Sequence, residues 1–303
     1  MRAIAERLVE TRASDAGRRT KRIKRTVLHA FLIVMSLVWL FPLAYAVYTS
    51  FRPFAETARL GYVSLPQHLT FDNYVHAWVQ ADLPKFFLNT VIIVVPAMII
   101  VLFLASMMAF AVSRYSFRFN VGLLLLFTAA NLLPPQVIIT PLFRMYLALP
   151  LPDFLSDNGL FYDQFIGIIA IHVAFQMGFC TFVLSNYMKT LPKELNEAAV
   201  VDGASVARTF FQIILPLTRP ALAALATLQA TWMYNDFFWA LILMRTGDKY
   251  PITSGLNALK GQFFTDNNLV AAGSILVALP TLIVFLVLQK QFVRGLTIGS
   301  TKG

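Results

Sequence analysis

The chain of 303 residues is 58% apolar and only 13% charged, and its mean hydropathy is +0.67. A soluble domain is nearer half apolar and a quarter charged, so this composition excludes an ordinary cytosolic enzyme. The formal charge is +10, and the lone cysteine, Cys180, excludes a disulfide framework or a cysteine-based metal cluster.

Six stretches of 21 to 27 residues carry one charge or none. About 20 apolar residues suffice for a helix to cross the hydrocarbon core of a bilayer, so each stretch is predicted to be a transmembrane helix. They are residues 27–50, 86–112, 119–143, 164–188, 220–244 and 269–289. The predicted fold class is therefore an all-α membrane protein with six transmembrane helices in one membrane domain.

Basic residues are divided unequally between the two predicted sides of the membrane. If the N-terminus is cytoplasmic, 18 of the 25 Lys and Arg residues lie on the cytoplasmic side. Because basic loops stay inside, both termini are predicted to be cytoplasmic. The basic segment 1–26 is interpreted as a topology anchor at the anionic lipid surface and not as a nucleic-acid site. Residues 27–293 form the membrane domain, and residues 294–303 form a tail.

Prolines and polar residues interrupt the predicted spans. The sequence NLLPPQ at 131–136 is the most interrupted, and its freed carbonyl groups need a neighbour or water, which is a weak indication that Asn131 lines a cavity. In the fourth span His172 and Gln176 are four apart and share a helix face. His172 is interpreted more readily as a structural residue than as a functional one.

The fifth predicted span carries a polar and aromatic cluster. If the span is helical, one side of two turns holds Trp232, Asn235, Asp236 and Trp239. A charged Asp236 at the bilayer centre would cost about 2.5 to 3.5 kcal/mol, so its carboxylate should face water, a polar partner or the membrane interface. The cluster could form a polar pathway with aromatic walls suited to a sugar ring. It could equally be an interhelical hydrogen bond or an interfacial position.

No motif for catalysis or nucleotide binding is present in the sequence. It contains no phosphate-binding loop, no paired zinc-binding histidines and no nucleophile elbow. Any ATP that powers transport must therefore be hydrolysed by another chain. Asp236 is the one carboxylate inside a predicted span, and proton coupling would need such a group. An ion-coupled carrier that needs no ATPase is therefore an alternative to ATP-driven transport. A membrane enzyme is disfavoured because no catalytic motif is present.

The loop between the fourth and fifth predicted spans, residues 189–219, is the most informative segment. Pro192 suits the first position of a short helix, and Asp202-Gly203 predicts the chain reversal that ends it. Ser205 is expected to cap a second helix that continues to Leu215-Pro216, where the chain turns back to the membrane. Such a projection cannot bury its own apolar face, so it should dock into a groove on another protein or lie on lipid.

This loop resembles the coupling motif of binding-protein-dependent ABC importer permeases. The motif is EAA, three residues, Gly, nine residues and I-x-L-P, which here are Glu197, Ala198, Ala199, Gly203, Ile213, Leu215 and Pro216. Over nearly its whole length the chain is similar to MalG-type subunits of carbohydrate importers. Further matching segments are FPLAYAVYTSFRP, FDNY, FLNTVIIV, MAFAVSRYSFRF, LPPQVIITPLF, YNDFFWALIL and RGLTIGSTKG. The resemblance implies the type I ABC importer permease fold.

The resemblance also implies roles for individual segments. Residues 197–203, including Asp202, would sit in a cleft of an ATPase subunit, with Glu197 in polar contact and the small residues allowing close approach. The tail would reach between the ATPase subunits through Leu296, Gly299, Lys302 and Gly303. The loop 246–268 would enter the cleft of a solute-binding protein. The chain departs from the family at Tyr234, where a Trp is common, so sugar stacking at that position is in doubt.

The function implied is that of one permease subunit in an ATP-driven importer for oligosaccharides or disaccharides in the bacterial inner membrane. Its partners would be a second, MalF-like permease, two ATPase subunits that hold ATP and Mg, an extracytoplasmic solute-binding protein, the sugar and membrane lipid. The chain itself would hold no cofactor and catalyse no reaction. Candidate pathway residues are Asn131, Gln176, Trp232, Tyr234, Asn235, Asp236 and Trp239. Because the motif specifies coupling and not cargo, glycerol phosphates or polyols are alternatives. Basic side chains near the cavity would favour an anion, and the positions of Arg144 and Arg245 near outer span ends keep that alternative open.

Overall fold

The computed structural model describes residues 2–260 and 265–297, which are mostly helical. Within these ranges no strand is present, and Pro150 and Leu160 form an isolated bridge. The first seven helices are α1 (Arg2–Ser50), α2 (Phe54–Leu60), α3 (Asp72–Gln80), α4 (Leu83–Arg114), α5 (Asn120–Leu132), α6 (Ile139–Ala148) and α7 (Phe165–Thr190). They are followed by α8 (Glu194–Val201), α9 (Val206–Arg208), α10 (Leu215–Leu217), α11 (Arg219–Tyr234), α12 (Phe238–Leu243), α13 (Ile252–Gly255) and α14 (Asn267–Thr297).

Four helices in the described part of the chain are long and apolar enough to cross a membrane. They are α4, α7, residues Lys21–Ser50 of α1 and residues Asn267–Val287 of α14. They correspond to the predicted spans 27–50, 86–112, 164–188 and 269–289. Pro42, Pro96 and Pro280 lie inside three of these helices without ending them.

The third predicted span, residues 119–143, is not one continuous helix. Helix α5 ends at Leu132, Pro134 is extended with φ −60° and ψ 127°, and a 3₁₀ turn from Pro135–Ile138 leads into α6. Two consecutive prolines remove two backbone donors, and a residue before a proline avoids the α-helical region, so the helix cannot continue through them. At 13 residues α5 is about 20 Å long, too short to span a bilayer alone.

The fifth predicted span, residues 220–244, is also divided. Helix α11 ends at Tyr234, and α12 starts only at Phe238. Before it, Val206–Leu217 meets α11 at a bend of 72°, and this bent pair is a fifth candidate span by length and composition. The described residues therefore contain four or five candidate spans, and two of the six predicted ones are interrupted.

The core is built around α4 and α7, which form the most extensive helix pair. On α4 the side chains of Ala97, Val101, Ala105 and Ala109 recur every fourth residue and are all fully buried. Small side chains at this spacing let two helix backbones approach closely, which is how helices pack in a membrane without a strong hydrophobic driving force between them. The same cluster includes Leu184 of α7, Leu225 of α11 and Ile214.

The end of α1 is held by a buried polar network at the start of α14. Arg52 is fully buried, its guanidinium donates to Glu56 Oε1 at 3.0 Å, and Asn268 Nδ2 donates to the Arg52 carbonyl at 2.9 Å. Glu56 also accepts the backbone N–H groups of Gln67 and His68. Burial raises the pKa of Glu56, but these two N–H groups and the Arg52 guanidinium together lower it by a larger amount. The pKa of Glu56 therefore lies below the ordinary glutamate value. The network was not predicted, since it joins residues more than 200 positions apart.

Candidate coupling loop and substrate pathway

The coupling loop, residues 189–219, begins as predicted with a short helix and a reversal. Helix α8 starts at Glu194, so the prediction that Pro192 takes the first helical position is wrong by two residues. Glu194 and Glu197 lie in its first turn, where the helix dipole stabilises anions. Gly203 has φ +71°, a left-handed conformation that costs a residue with a Cβ free energy, and its N–H donates to the Val200 carbonyl at 3.0 Å. The predicted helix end and chain reversal at Asp202-Gly203 are confirmed.

The second arm of the loop is longer than predicted. Ser205 Oγ accepts the N–H of Arg208 at 3.2 Å and caps α9, as expected. A π-helical segment, Thr209–Ile214, then leads into α10, and the 72° bend follows at Thr218. The predicted turn at Leu215-Pro216 is therefore wrong by two residues. Pro216 lies next to the end of the helical segment Val206–Leu217, two residues before the bend.

The surface of the coupling loop separates its motif residues into two groups. The exposed group contains Glu197, Ala198, Asp202, Gly203, and the apolar side chains of Val200, Val201 and Val206. The buried group is Ala199, which is 3% exposed, with Phe210 and Ile214 in the core beneath; Ile213, Leu215 and Pro216 are half-buried. The expectation that the loop cannot bury its own apolar face is wrong for its second arm. Ala199 packs inside this chain and does not face outward.

The polar cluster of the fifth predicted span lies at the break between α11 and α12. Asp236 is in this break, and its Oδ1 accepts the N–H of Trp239 at 3.4 Å at the start of α12. Its Oδ2 is buried without a hydrogen-bond partner in the described chain and lies 3.7 Å from His172 Nε2. The backbone carbonyl of Asp236 accepts the Thr253 hydroxyl. The carboxylate thus lies against His172 of α7, at the break between α11 and α12, and one of its oxygens has no hydrogen-bond partner in the described chain.

The break changes which predicted pathway residues can share a surface. Trp232 and Asn235 are exposed, but Trp239 is only 5% exposed and packs on Phe175 at 5.0 Å between ring centroids. The prediction that four residues share one helix side is therefore wrong, because the helix ends at Tyr234. The Tyr234 hydroxyl donates a hydrogen bond to the Val277 carbonyl of α14 at 2.8 Å, so this hydroxyl binds a group of the chain itself.

Two other predicted residues lie on neighbouring helices. Gln176 is half-buried and accepts from Gln229 Nε2 at 3.3 Å, and the same amide donates to the Cys180 sulfur at 3.1 Å. Asn131 is exposed and donates to the Phe127 carbonyl within α5. Gln229 is fully buried and was not predicted, although a glutamine within an apolar helix was a visible signal. No group of three His, Cys, Asp or Glu side chains in the described residues could hold a metal ion.

The first part of the predicted binding-protein loop, residues 246–268, packs on the chain itself. Asn89 Nδ2 donates to the carbonyls of Asp248 and Tyr250 at 2.8 and 3.0 Å. The N–H of Ile252 donates to Thr90 Oγ1 at 2.8 Å, and Ile252 is fully buried. Residues 261–264 lie outside the described residues, as do Gly299, Lys302 and Gly303 of the tail, whereas Leu296 lies in the last turn of α14.

Asp163 fixes the start of that loop to the residues before α7. Its Oδ1 accepts the N–H groups of Arg245 and Thr246 at 2.8 and 3.0 Å, and its Oδ2 accepts the Thr246 hydroxyl. Burial raises the pKa of Asp163, but the Thr246 hydroxyl, these two N–H groups and the charge of Lys249 together hold the pKa below the ordinary aspartate value. Sequence reasoning missed this contact, since nothing local pairs residues 82 or 83 positions apart.

Comparisons with known proteins cover most of the chain. The permease NgcG of the diacetylchitobiose uptake system of Streptomyces coelicolor is 32% identical over 274 residues, which is 90% of this chain and 87% of that protein. The osmoprotective compounds uptake permease GgtD of Synechocystis sp. is 30% identical over 298 residues, which is 96% of this chain and 97% of that protein. In the crystal structure of a bacterial ABC transporter that imports the acidic polysaccharide alginate, one chain matches with TM-score 0.75 at 23% identity, covering 90% of this chain and 98% of that one.

Residues 101–298 match the family described as the binding-protein-dependent transport system inner membrane component. This range includes the whole coupling loop, the break at Asp236, the last 14 residues of α4 and all of α14. The similarity to the alginate transporter shows that the fold is that of an ABC importer permease. The chain is therefore a membrane-spanning permease and belongs to the family of inner-membrane components of binding-protein-dependent transport systems.

Proposed function

We propose that this permease is one subunit of a heteromeric, ATP-driven importer for oligosaccharides or disaccharides. The observation that carries the proposal is the projecting surface of α8. Glu197, Val200, Val201 and Asp202 are exposed there, while Ala199 and the core beneath hold the helix in place. Val200 and Val201 are 72% and 86% exposed, and an exposed apolar pair beside two carboxylates is typical of a surface that docks into a groove on another protein.

The partner at this surface would be an ATPase subunit, and two such subunits would hold ATP and Mg. Their closure would push α8, and the permease would respond by rigid-body movement of helices that changes access to a central pathway. A second permease subunit would complete that pathway, and an extracytoplasmic solute-binding protein would deliver the cargo. Chemistry would thus be performed by the partners, and this chain would supply the conformational change.

Six membrane crossings remain part of the proposal, with two of them formed from broken helices. The third crossing would combine α5 and α6, and the fifth would combine α11 and α12. Interrupted backbone at membrane depth is tolerated where it is packed in protein or lines a polar cavity. Both termini and the coupling loop would lie on the cytoplasmic side, which carries 18 of the 25 basic residues.

A sugar as cargo is supported by the exposed side chains next to the break. Trp232 is 44% exposed and lies 5.3 Å from Phe179, measured between ring centroids, which provides an aromatic surface for a sugar face. Asn235 is exposed one residue before Asp236, whose Oδ2 accepts no hydrogen bond in the described chain. Amide and carboxylate groups bind hydroxyls, and the relative NgcG belongs to a diacetylchitobiose uptake system.

Small polyhydroxyl solutes such as polyols are a second candidate class of cargo, and one relative supports them. GgtD, a relative that matches nearly the whole chain, takes part in the uptake of osmoprotective compounds. Small polyhydroxyl solutes present the same hydroxyl groups as sugars, so the pathway residues alone do not separate the two classes. The coupling surface is expected to be the same for both.

The test is to purify the native assembly through an N-terminal tag, identify every copurifying chain and measure ATP hydrolysis with the solute-binding protein present. The panel should contain oligosaccharides, disaccharides, polyols and phosphate esters. Copurification of a second permease and an ATPase, with hydrolysis stimulated by oligosaccharides, is the expected result. Stimulation by polyols alone would replace the cargo assignment. A chain that purifies alone and moves solute without ATP would overturn the proposal.

A further inference from the structure

The end of α4 is attached to the first arm of the coupling loop by one side chain. Arg114, the last residue of α4, donates from Nη2 to the Met188 carbonyl at 2.8 Å and from Nη1 to the Leu191 carbonyl at 3.2 Å. A third contact joins Nη1 to the Pro192 carbonyl at 3.5 Å. The last carbonyls of a helix have no partners within it, and a cation is favoured there. Arg114 therefore caps α7 from a different helix, at the start of the coupling loop.

The same face of α4 also holds the second arm. Phe110 is four residues before Arg114, so both side chains project from one side of the helix. Its ring lies 5.3 Å from that of Phe210, which is 4% exposed in the π-helical segment. One turn of α4 thus binds both arms of the loop, the first arm by hydrogen bonds and the second arm by aromatic packing.

A cleft of about 370 Å³ separates the end of α4 from α8. Arg114, Asn196 and Glu197 line it, and Glu197 also belongs to the exposed docking surface. Within the described residues, two buried atoms of this lining lack hydrogen-bond partners, the donor Arg114 Nε and the acceptor Asn196 Oδ1. Buried polar groups are rarely left unpaired, and these two are complementary. Narrowing of the cleft would allow them to pair.

We propose that Arg114 is the positioning residue that transmits movement of α8 to α4. Pressure of a partner on α8 narrows the cleft, Asn196 Oδ1 accepts a hydrogen bond from Arg114 Nε, and α8, the end of α7 and α4 then move as one body. Arg114 touches neither cargo nor nucleotide in this scheme. The inference rests on the proposed function, since it requires an ATPase partner that presses on α8.

The experiment compares Arg114→Met and Arg114→Lys with the control Arg118→Met in the complete transporter reconstituted into liposomes. Arg118 is an exposed arginine in the loop between α4 and α5, four residues after Arg114. Its guanidinium carbon lies 6.0 Å from the ring centroid of Phe119. Each variant is assayed for copurified ATPase subunit, for ATP hydrolysis and for solute taken up per ATP hydrolysed. Arg114→Lys keeps the charge but removes Nε and the planar fork, so it tests the geometry if Arg114→Met folds poorly.

Both Arg114 variants are expected to copurify the ATPase subunit in the same amount as the Arg118→Met control. The amount of solute taken up per ATP hydrolysed is expected to fall about tenfold, which corresponds to 1.4 kcal/mol. Uptake per ATP equal to that of Arg118→Met would overturn the inference, and so would loss of the ATPase subunit, because Arg114 would then only shape the loop. If the unaltered protein copurifies no ATPase, the proposed function itself fails, which is a distinguishable result.

A double-mutant cycle tests the pairing with Asn196. Asn196→Leu alone is expected to lower uptake per ATP, and adding it to Arg114→Lys should produce little further loss, because both changes remove the same hydrogen bond. Losses that add in the double variant would overturn the Arg114–Asn196 pairing.

Discussion

Replacing Gly203 with arginine separates the fold of the coupling loop from its docking role. Gly203 has φ +71°, and an ideal Cβ built on it meets no heavy atom within 4 Å. Any residue with a Cβ should therefore incur only the left-handed backbone cost, about 1 to 2 kcal/mol. This is a fraction of the 5 to 15 kcal/mol typical of a folded domain, so the variant protein should remain folded.

Alanine at the same position is the matched control, because it carries the same backbone cost without a long side chain. If α8 docks into a groove, Gly203→Arg should abolish uptake and release the ATPase subunit, whereas Gly203→Ala should retain most of both. The measurement is the amount of ATPase subunit copurified with each variant, together with solute uptake in liposomes. Equal behaviour of the two variants, or full uptake by Gly203→Arg, would refute the docking argument.

Three further predictions concern the pathway, the core and pH. Asp236→Ala should change substrate affinity or selectivity in uptake assays while leaving the ATPase subunit bound, because the carboxylate lies in the break between α11 and α12, outside the coupling loop, and has one oxygen without a hydrogen-bond partner in the described chain. Trp239 is 5% exposed, so Trp239→Ala should destabilise the protein by about 3 to 5 kcal/mol, measured as a lower yield and a lower Tm. Trp232 is 44% exposed, so Trp232→Ala should keep the yield and reduce uptake. The pKa of Asp163 is lower in the folded protein than the ordinary value of 3.8, so its contribution to stability is complete above that value and is lost as the pH falls through the folded pKa. Hydrogen exchange at the Thr246 amide should rise over that acidic range relative to unanchored loops.

Each of these predictions has a result that contradicts it. Loss of assembly in Asp236→Ala would make this residue a structural hydrogen-bonding group. Equal yields of the two tryptophan variants would contradict the difference in burial. Asp163→Ala, which removes the acceptor of the Arg245 and Thr246 N–H groups, should already show raised exchange at neutral pH and no further acid response. Unchanged exchange in this variant would show that Asp163 does not anchor the loop.

Local sequence signals predicted the coupling loop well because its structure depends on neighbouring residues. A glycine in the left-handed region at 203 and a serine cap at 205 act within three residues, so their effects could be anticipated. The bend was misplaced because Leu215-Pro216 was expected to end the helix, whereas the helical segment Val206–Leu217 continues past this proline and the chain bends at Thr218.

The pathway residues were predicted less well because helix continuity was assumed. An apolar stretch of 25 residues in the fifth predicted span does not reveal that the helix stops at Tyr234. Once it stops, Trp239 turns into the core and Asp236 reaches His172 on α7. These outcomes depend on contacts between helices, which no periodicity within one segment can show.

Composition and charge distribution determined that the protein spans a membrane, and its turn residues determined the helix end at Gly203, because the hydrophobic effect and turn geometry act along the chain. The permease family followed from the resemblance of one motif to known sequences. Only the tertiary structure decided which motif residues face outward, that Ala199 is buried, and that Arg114 holds the carbonyls of Met188 and Leu191. Burial and hydrogen bonding between distant segments arise from helix packing, so they are properties of the folded chain and not of any local pattern.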